Sequence, residues 1–220
     1  MREVIEPTLA GLAADGMPFT GFLYAGLMID AAGAPKVIEY NVRFGDPETQ
    51  PVIARLKSDL TLLCEAALAG RLETVSAEWD PRCALGVVMA AHGYPEEVRK
   101  GDVVAGLDTL GALPGKLFHA GTAVSNGRVV TAGGRVFCAV GLGPTVRAAQ
   151  RDAYAIAGAV QFAGAQYRRD IGYRAIAREG GTWRWEQLDY ADGQIRGAFE
   201  VTAFQTSPGQ MAAAFQDVTE

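Results

Sequence analysis

Three polar side chains that could bind a metal and a phosphate alternate along one short segment of the chain. Glu39, Asn41 and Arg43 follow one another at every second position. The positions between and beside them are apolar: Ile38, Tyr40, Val42 and Phe44. Residues two apart on a strand point to the same face, roughly 6.5–7 Å apart. Carboxylate and amide oxygens suit Mg²⁺, and arginine binds phosphate. The spacing therefore predicts a strand with a buried apolar face and a polar face suited to a metal and a polyphosphate.

The alternation alone does not establish such a site, because most half-buried strands alternate in this way without any chemistry. The turn that follows strengthens the prediction, since Gly45-Asp46-Pro47-Glu48 places two more carboxylates after the polar row. Clustered carboxylates are costly unless cations compensate them. Asp46 and Glu48 are thus candidate site residues, although they could equally cap the helix expected to begin near Pro51.

The composition narrows the function classes. The chain has 220 residues, enough for one or two domains, and 49% of them are hydrophobic. A net charge of −5 offers no electrostatic footprint for nucleic acid. No apolar run reaches the ~18 residues of a membrane span, and the first residues lack the apolar core of a signal peptide. We therefore expect a cytoplasmic protein that binds neither nucleic acid nor membrane.

The cysteines and histidines argue against disulfides and against a histidine-based metal site. Cys64, Cys83 and Cys138 are odd in number and far apart, which indicates free thiols in a reducing compartment. Cys138 alternates with valines and is expected in the core. Of the two histidines, His119 is expected to be packed or next to a substrate rather than a general base.

Periodicity and turn residues predict the order of the elements. Helices are expected at residues 4–14, 51–68 and 145–162, with Lys57 on a solvated helix face. Residues 21–30 and 36–44 are expected to form a hairpin, and further strands are expected at 84–91, 115–123 and 128–141. The glycine pairs Gly133-Gly134 and Gly141-Leu142-Gly143 are interpreted as turns that bring the backbone close to a neighbour. In the tail, three short strands at 181–190, 197–206 and 210–218 predict a β-meander.

Several of these segments closely resemble phosphoribosylamine–glycine ligases, a family of ATP-grasp enzymes. The segments that carry the resemblance are Val4-Ile5-Glu6-Pro7-Thr8, Tyr24-Ala25-Gly26-Leu27-Met28, Glu39 through Gln50, Leu56-Lys57-Ser58-Asp59-Leu60, Gly86 through Ala91, Phe118-His119-Ala120-Gly121-Thr122, Gly133-Gly134-Arg135-Val136 and Asp170 through Ile176. The resemblance implies an α+β fold class with three parts. Residues 1–80 would be the C-terminal part of an ATP-grasp domain, 81–179 a small α+β C-terminal domain, and 180–220 an appended β-meander.

The resemblance also implies a reaction and its site residues. The family joins glycine to 5-phosphoribosylamine through a glycyl phosphate in purine (IMP) biosynthesis, with ATP as co-substrate and Mg²⁺ or Mn²⁺ as cofactor. Glu39 and Asn41 match the family's metal ligands, and Arg43 would lie near the transferred phosphate. Asp46 and Glu48 would border the pocket for glycine and ribose phosphate.

Two departures from the family pattern qualify this expectation. Family members carry an N-terminal domain and a first ATP-grasp half before the position of Met1, so we expect this chain to be inactive alone or to act with a separate chain that supplies them. The tail from Gly180 instead resembles the last strands of PAS sensor domains. The alternative hypothesis is a non-catalytic interaction or sensory protein that keeps a ligase-derived scaffold.

Overall fold

Five α-helices and nine strands form within the residues that the computed structural model describes, which are 2–30, 33–179, 199–207 and 210–217. They belong to two units. The first contains the chain up to Gly45, the segment Lys57–Trp79 and the described tail strands. The second contains Asp46–Leu56 and the chain from Asp80 onward to residue 179. No helix among the described residues is long and apolar enough to cross a membrane.

The first unit contains the predicted hairpin. Strand β1 (Tyr24–Ile29) pairs antiparallel with β2 (Pro35–Asn41), and the register shifts between Gly26 and Leu27. Helix α1 (Ile5–Ala14) precedes them, as predicted. It ends at Gly16, which adopts a φ of 75°, while Met17 donates its amide to the carbonyl of Leu12. This is the Schellman geometry that favours glycine after a helix.

The predicted helix over residues 51–68 is wrong, because the structure has two helices there. Helix α2 (Thr49–Arg55) belongs to the second unit and α3 (Leu60–Leu68) to the first. Leu56 is extended, with a ψ of 121°. Asp59 then caps α3 by accepting the amide of Thr61 at 2.7 Å. Aspartate is a favoured N-cap, and its side chain competes with a continuous helix. Lys57 consequently lies between helices, where its amide donates to the carbonyl of Glu78.

The second unit is built on a three-stranded antiparallel sheet. Its order is β3 (Cys83–Ala90), β7 (Arg135–Gly143) and β4 (Lys116–His119). Residues 136–140 of the central strand β7 are all buried. The core forms where alternate β3 residues meet helix α4 (Val146–Ala159): it includes Leu85, Val87, Met89, Phe137, Ala149, Ala153 and Ile156. A central strand that is buried on both faces reads as a continuous apolar run, and this one does.

Close backbone approach between β7 and α4 depends on two glycines. A Cβ atom on Gly141 would lie 2.0 Å from the carbonyl oxygen of Ala149, and one on Gly143 would lie 2.6 Å from the amide of Ala149. The predicted close approach is therefore confirmed. The predicted turn is wrong, since both glycines lie within strand β7. Helix α4 begins after Thr145, whose hydroxyl accepts the amide of Ala148 at 3.1 Å.

The two long glycine-containing strands predicted at 115–123 and 128–141 are each divided in two. The additional strands β5 (Thr122–Ser125) and β6 (Arg128–Thr131) form their own hairpin. Its turn contains Asn126 and Gly127, both with positive φ, a pattern typical of a type I′ turn. The divisions fall where Gly121 and Gly133 approach each other, and the amide of Gly133 donates to the carbonyl of Gly121 at 3.1 Å.

Some elements were not predicted, and part of the tail follows the prediction. Short 3₁₀ helices occur at Leu72–Thr74 and Leu107–Ala112, and helix α5 covers Tyr173–Glu179. In the tail, β8 (Phe199–Ser207) and β9 (Gln210–Asp217) pair antiparallel, in agreement with the second and third predicted strands. The first, at 181–190, lies outside the described residues.

Candidate functional site

Glu39 and Asn41 lie side by side on one face of β2. The amide nitrogen of Asn41 donates to Oε1 of Glu39 at 3.1 Å. Glu39 is exposed and Asn41 is half-buried at the end of the strand. The strand pattern thus brings the two predicted ligands together as expected. Because the Asn41 NH₂ group is directed at the carboxylate, the amide oxygen of Asn41 and the second carboxylate oxygen are left as acceptors for a cation.

The neighbouring strand leaves room for this pair. Gly26 is the register partner of Glu39, and Tyr24 is the partner of Asn41. Directly opposed residues of an antiparallel pair share a face. A Cβ atom on Gly26 would lie 3.0 Å from Cγ of Glu39. Glycine at position 26 therefore gives the Glu39 side chain the space that a larger residue would occupy.

The donor set of this face fits magnesium in one specific way. Among the residues that the structure describes, no group of three or more histidines, cysteines and carboxylates could hold a metal. Glu39 and Asn41 thus provide one carboxylate and one amide oxygen. Mg²⁺ commonly takes one or two protein oxygens and completes its octahedron with water and substrate phosphates. The pair therefore fits a magnesium shared with a polyphosphate, and does not fit a metal enclosed by protein ligands alone.

Arg43 does not continue the polar row as predicted. The strand β2 ends at Asn41, and the backbone bends over the next two residues. The exposed Arg43 guanidinium donates to the carbonyl of Phe44 at 2.8 Å. The period-two pattern therefore holds for Glu39 and Asn41 but ends before Arg43, because the chain turns into the loop that precedes α2.

The apolar row on the opposite face is not buried, which contradicts the prediction. Ile38 is 52% exposed, Tyr40 42% and Val42 72%. Helix α1 reaches this face through Thr8, whose hydroxyl lies 2.6 Å from that of Tyr40. A two-stranded sheet is too small to bury an apolar face by itself. One ten-residue helix leaves most of these side chains in contact with solvent.

Asp46 is bound by a residue that the sequence did not suggest. Its carboxylate Oδ2 lies 2.7 Å from Nη1 of Arg135, and the same nitrogen donates to the Asp46 carbonyl at 3.2 Å. Nε of Arg135 donates to the hydroxyl of Tyr94 at 3.0 Å. Burial lowers the pKa of the Arg135 guanidinium, but hydrogen bonds and charge attraction from Asp46 and Tyr94 raise that pKa overall. The only sequence signal for Arg135 was its place in the Gly133-Gly134-Arg135-Val136 motif.

The alternative that Asp46 and Glu48 cap the following helix is not what the structure shows. Glu48 occupies the N-cap position of α2, but its side chain makes no cap hydrogen bond. The Asp46 carboxylate pairs with Arg135 instead. Pro51 lies in the first turn of α2, as predicted. Its ring packs close to β3, since a Cβ atom on Gly86 would lie 2.9 Å from Cγ of Pro51.

His119 and Cys138 have surroundings that match their predicted non-catalytic roles. His119 is at the end of β4, with its ring 5.0 Å from that of Phe137 and Nδ1 3.0 Å from the Thr122 hydroxyl. Cys138 is buried in β7. Burial, with a smaller contribution from the charge of Asp46, raises the pKa of the Cys138 thiol to about 12. At neutral pH this thiol is protonated and inert.

A second concave surface in this unit holds none of the predicted residues. A cleft of about 400 Å³ lies between the end of α2 and the face of β4 and β7. Its two cations are Arg82, which pairs with Asp80 at 2.7 Å, and Lys116, which lies 5.5 Å from the ring centre of Phe118. We assign no role to this cleft in the chemistry of the Glu39 face.

Comparison with known families identifies two matching domains. Residues 1–49 match the ATP-grasp (A) domain of phosphoribosylglycinamide synthetase, and residues 84–174 match its C domain. The phosphoribosylamine–glycine ligase of Vibrio cholerae is 60% identical over 179 residues, which are 81% of this chain and 42% of that protein. The Pseudomonas aeruginosa ligase is 61% identical over 181 residues, 82% of this chain and 42% of that protein.

A solved structure shows the same relationship. The crystal structure of phosphoribosylamine–glycine ligase from Thermotoga maritima matches with a TM-score of 0.60 at 39% identity. The match covers 77% of this chain and 41% of that one. The chain therefore spans about two fifths of the length of the relatives that it resembles.

Proposed function

Because the chain belongs to the phosphoribosylamine–glycine ligase family through its ATP-grasp and C domains, we propose that it supplies the C-terminal part of such a ligase. The reaction would join glycine to 5-phosphoribosylamine through a glycyl phosphate, with consumption of ATP, in de novo purine (IMP) biosynthesis. The observation that supports this assignment most directly is the hydrogen-bonded pair of Glu39 and Asn41 on β2.

The roles of the site residues follow from their chemistry. Glu39 and Asn41 would hold Mg²⁺ or Mn²⁺, which when bound neutralises charge on the ATP phosphates. Arg43 would swing its exposed guanidinium from the Phe44 carbonyl to a phosphate oxygen, since arginine pairs well with phosphate. Asp46 and Glu48 would border the pocket for glycine and ribose phosphate. These assignments are proposals for all five residues.

We also propose that a separate chain completes the active site. An ATP-grasp site holds ATP between two halves, and this chain matches two fifths of its relatives' length. In the first unit, many large apolar side chains are exposed: Leu9, Met17, Phe22, Val37, Ile38, Tyr40, Val42, Leu62, Leu68 and Leu72. Exposed apolar surface of this extent is typical of a protein interface. A polypeptide that carries the remaining ATP-grasp part is the partner that these features suit.

The domain boundaries and location belong to the same proposal. The ATP-grasp part would run to residue 80, the C-terminal domain from 81 to 179, and the tail from 180 to 220, in a cytoplasmic protein. The comparisons give no support to the alternative of a sensory or interaction protein, since the relatives are ligases. The resemblance of the tail to PAS strands stays a prediction.

Reconstitution in two pieces tests the proposal. The chain is mixed with the part of the Pseudomonas aeruginosa ligase that lies before the region matched here, and ADP release is followed with glycine and with phosphoribosylamine made in situ. We expect ADP release that requires both proteins and both substrates. Copurification of the two proteins without any glycine-dependent ADP release would contradict the ligase assignment.

Calorimetry of the chain alone tests the need for the second protein. We expect no tight binding of Mg-ATP by the isolated chain, because half of the nucleotide site is supplied in trans. Tight binding by this chain alone would contradict the two-chain arrangement. The family assignment itself does not depend on that result.

A further inference from the structure

We propose that Arg135 is the positioning residue of the acidic loop (residues 45–48), and that Asp46 serves as its anchor rather than as a group acting on the reactants. The loop begins four residues after Asn41 and would border the substrate pocket, so its role rests on the function proposed above. Arg135 itself lies far away in sequence, at the start of β7. Its contacts with Asp46 fall entirely within the second unit.

The contacts fix the backbone of the loop as well as one side chain. Nη1 of Arg135 lies 2.7 Å from the Asp46 carboxylate and 3.2 Å from the Asp46 carbonyl oxygen. An ion pair to the carboxylate alone would allow the loop to move with its side chain. The second contact adds the main chain of the same residue. Charge-assisted bonds from a planar guanidinium also restrict direction, which a lysine would do less well.

The guanidinium is itself held in place from its other side. Nε donates to the Tyr94 hydroxyl at 3.0 Å, and the guanidinium carbon lies 5.8 Å from the ring centre of Tyr94. The Tyr94 ring packs directly on the main chain at Gly134, where a Cβ atom would lie 2.5 Å from Cδ2 of the ring. Glycine at position 134 therefore allows the ring to approach, and the ring orients Arg135. The chain of contacts runs from Gly134 through Tyr94 and Arg135 to the loop.

This arrangement changes the chemistry available to Asp46. Its carboxylate is 58% exposed but already paired with a cation that is 38% exposed. A paired carboxylate offers little net negative charge to a metal or an ammonium group. Of the two acidic residues in the loop, Glu48 is thus the better candidate for direct contact with a substrate. Asp46 would act through the loop geometry that its ion pair maintains.

Limited trypsin digestion of the full chain tests the inference without any requirement for activity. Cleavage after the exposed Arg43 needs extended backbone on both sides of the cut, so the acidic loop must open. We expect Arg135→Gln and Asp46→Asn each to speed cleavage after Arg43 by about two- to fivefold, as suits the loss of an exposed pair. The double variant should be no faster than either single variant, because both remove one contact. Arg135→Lys should restore part of the protection.

Arg168 and Asp170 supply the matched control. Their side chains form a pair at 2.6 Å with similar exposure, on the segment that leads to α5. Asp170→Asn should leave cleavage after Arg43 unchanged. Cleavage after Arg43 that is equally fast in the unsubstituted chain and in Arg135→Gln would overturn the proposal. An equal acceleration by Asp170→Asn would also overturn it, since the effect would then be one of general stability.

Kinetics of the reconstituted ligase separate positioning from direct action. Arg135→Gln and Asp46→Asn should change KM for glycine and kcat to the same extent, with partial rescue by Arg135→Lys. A much larger loss of kcat in Asp46→Asn than in Arg135→Gln would show that Asp46 acts on the reactants and would overturn the anchor role. If the unsubstituted mixture shows no ligation at all, the proposed function fails, and the digestion experiment still decides the role of Arg135.

Discussion

Gly26 and Glu39 are register partners in the β1–β2 hairpin, and a Cβ atom on Gly26 would lie 3.0 Å from Cγ of Glu39. A valine at position 26 would therefore push the Glu39 carboxylate away from Asn41. We expect Gly26→Val to weaken the binding of Mn²⁺, used as a stand-in for Mg²⁺, on this face. Broadening of the backbone amide NMR signals of Glu39 and Asn41 by added Mn²⁺ measures this, and it also detects weak binding.

Ala25→Val is the control for that experiment. It introduces the same side chain in the same strand but on the opposite face, because neighbouring residues in a strand alternate. We expect its Mn²⁺ titration to match that of the unsubstituted chain. Unchanged Mn²⁺ broadening in Gly26→Val would show that the cation does not depend on the position of Glu39.

Glu39→Gln tests the charge of the proposed ligand without changing its shape. In the reconstituted ligase we expect turnover to fall by about 10²-fold or more, because the metal loses its one carboxylate from this face. Thermal unfolding should be nearly unchanged, since Glu39 is exposed. Glu6→Gln, an exposed change in α1, is the control and should leave turnover unchanged. Near-normal turnover of Glu39→Gln would show that the metal assignment is wrong.

Gly141→Ala and Gly158→Ala should have opposite effects on stability. At position 141 a Cβ atom would collide with the Ala149 carbonyl at 2.0 Å, so we expect a loss of about 1–3 kcal/mol or more in the free energy of unfolding. At position 158, in α4, nothing lies within 4 Å of such an atom. There, alanine should add roughly 0.5–1 kcal/mol through its helix propensity. Urea unfolding measures both values, and equal effects would contradict the close packing of α4 on β7.

Asp170 should contribute a pH-dependent part of stability. Hydrogen bonds from Arg168 are the main reason that the pKa of Asp170 lies below its ordinary value. A carboxyl whose pKa is lower in the folded state stabilises that state above its unfolded pKa, and the contribution disappears as the pH falls through the folded pKa. The pair is exposed, so we expect less than about 1 kcal/mol.

Urea unfolding of Asp170→Asn at several pH values checks this prediction. The variant should be less stable than the unsubstituted chain at pH 6, and the difference should shrink below about pH 4, near the ordinary pKa of aspartate. Asp108→Asn, in the 3₁₀ helix Leu107–Ala112, is the control and should show no such convergence. A difference that grows on acidification would have the wrong sign for a lowered pKa.

The parts of the site that lie on one strand could be predicted from sequence. Glu39 and Asn41 share a face because a strand repeats every two residues, and the structure joins them by a hydrogen bond. The same rule failed for Arg43, because nothing in the local pattern shows that β2 ends at Asn41. It failed as well for the burial of Ile38 and Val42, since burial depends on what packs against the strand.

Contacts between distant segments were outside the reach of periodicity. The pairing of Asp46 with Arg135 joins residues 89 positions apart, and neither residue type specifies the other. The division of the predicted helix at residues 56–59 had a local signal in Asp59, a favoured N-cap. The apolar run on both sides of Asp59 nevertheless suggested a continuous helix. The order β3–β7–β4 likewise depends on long-range pairing.

Helix α2 has a consequence for recombination between this chain and its relatives. The C-domain family match begins at residue 84, yet the second unit also contains Asp46–Leu56. Pro51 packs against Gly86, whose substituent would also meet Sγ of Cys138 at 3.0 Å. A chimera joined at residue 84 would pair one parent's α2 with the other parent's sheet. A crossover placed before Asp46 would inherit helix and sheet together, so that is the junction at which segments of these proteins can be exchanged.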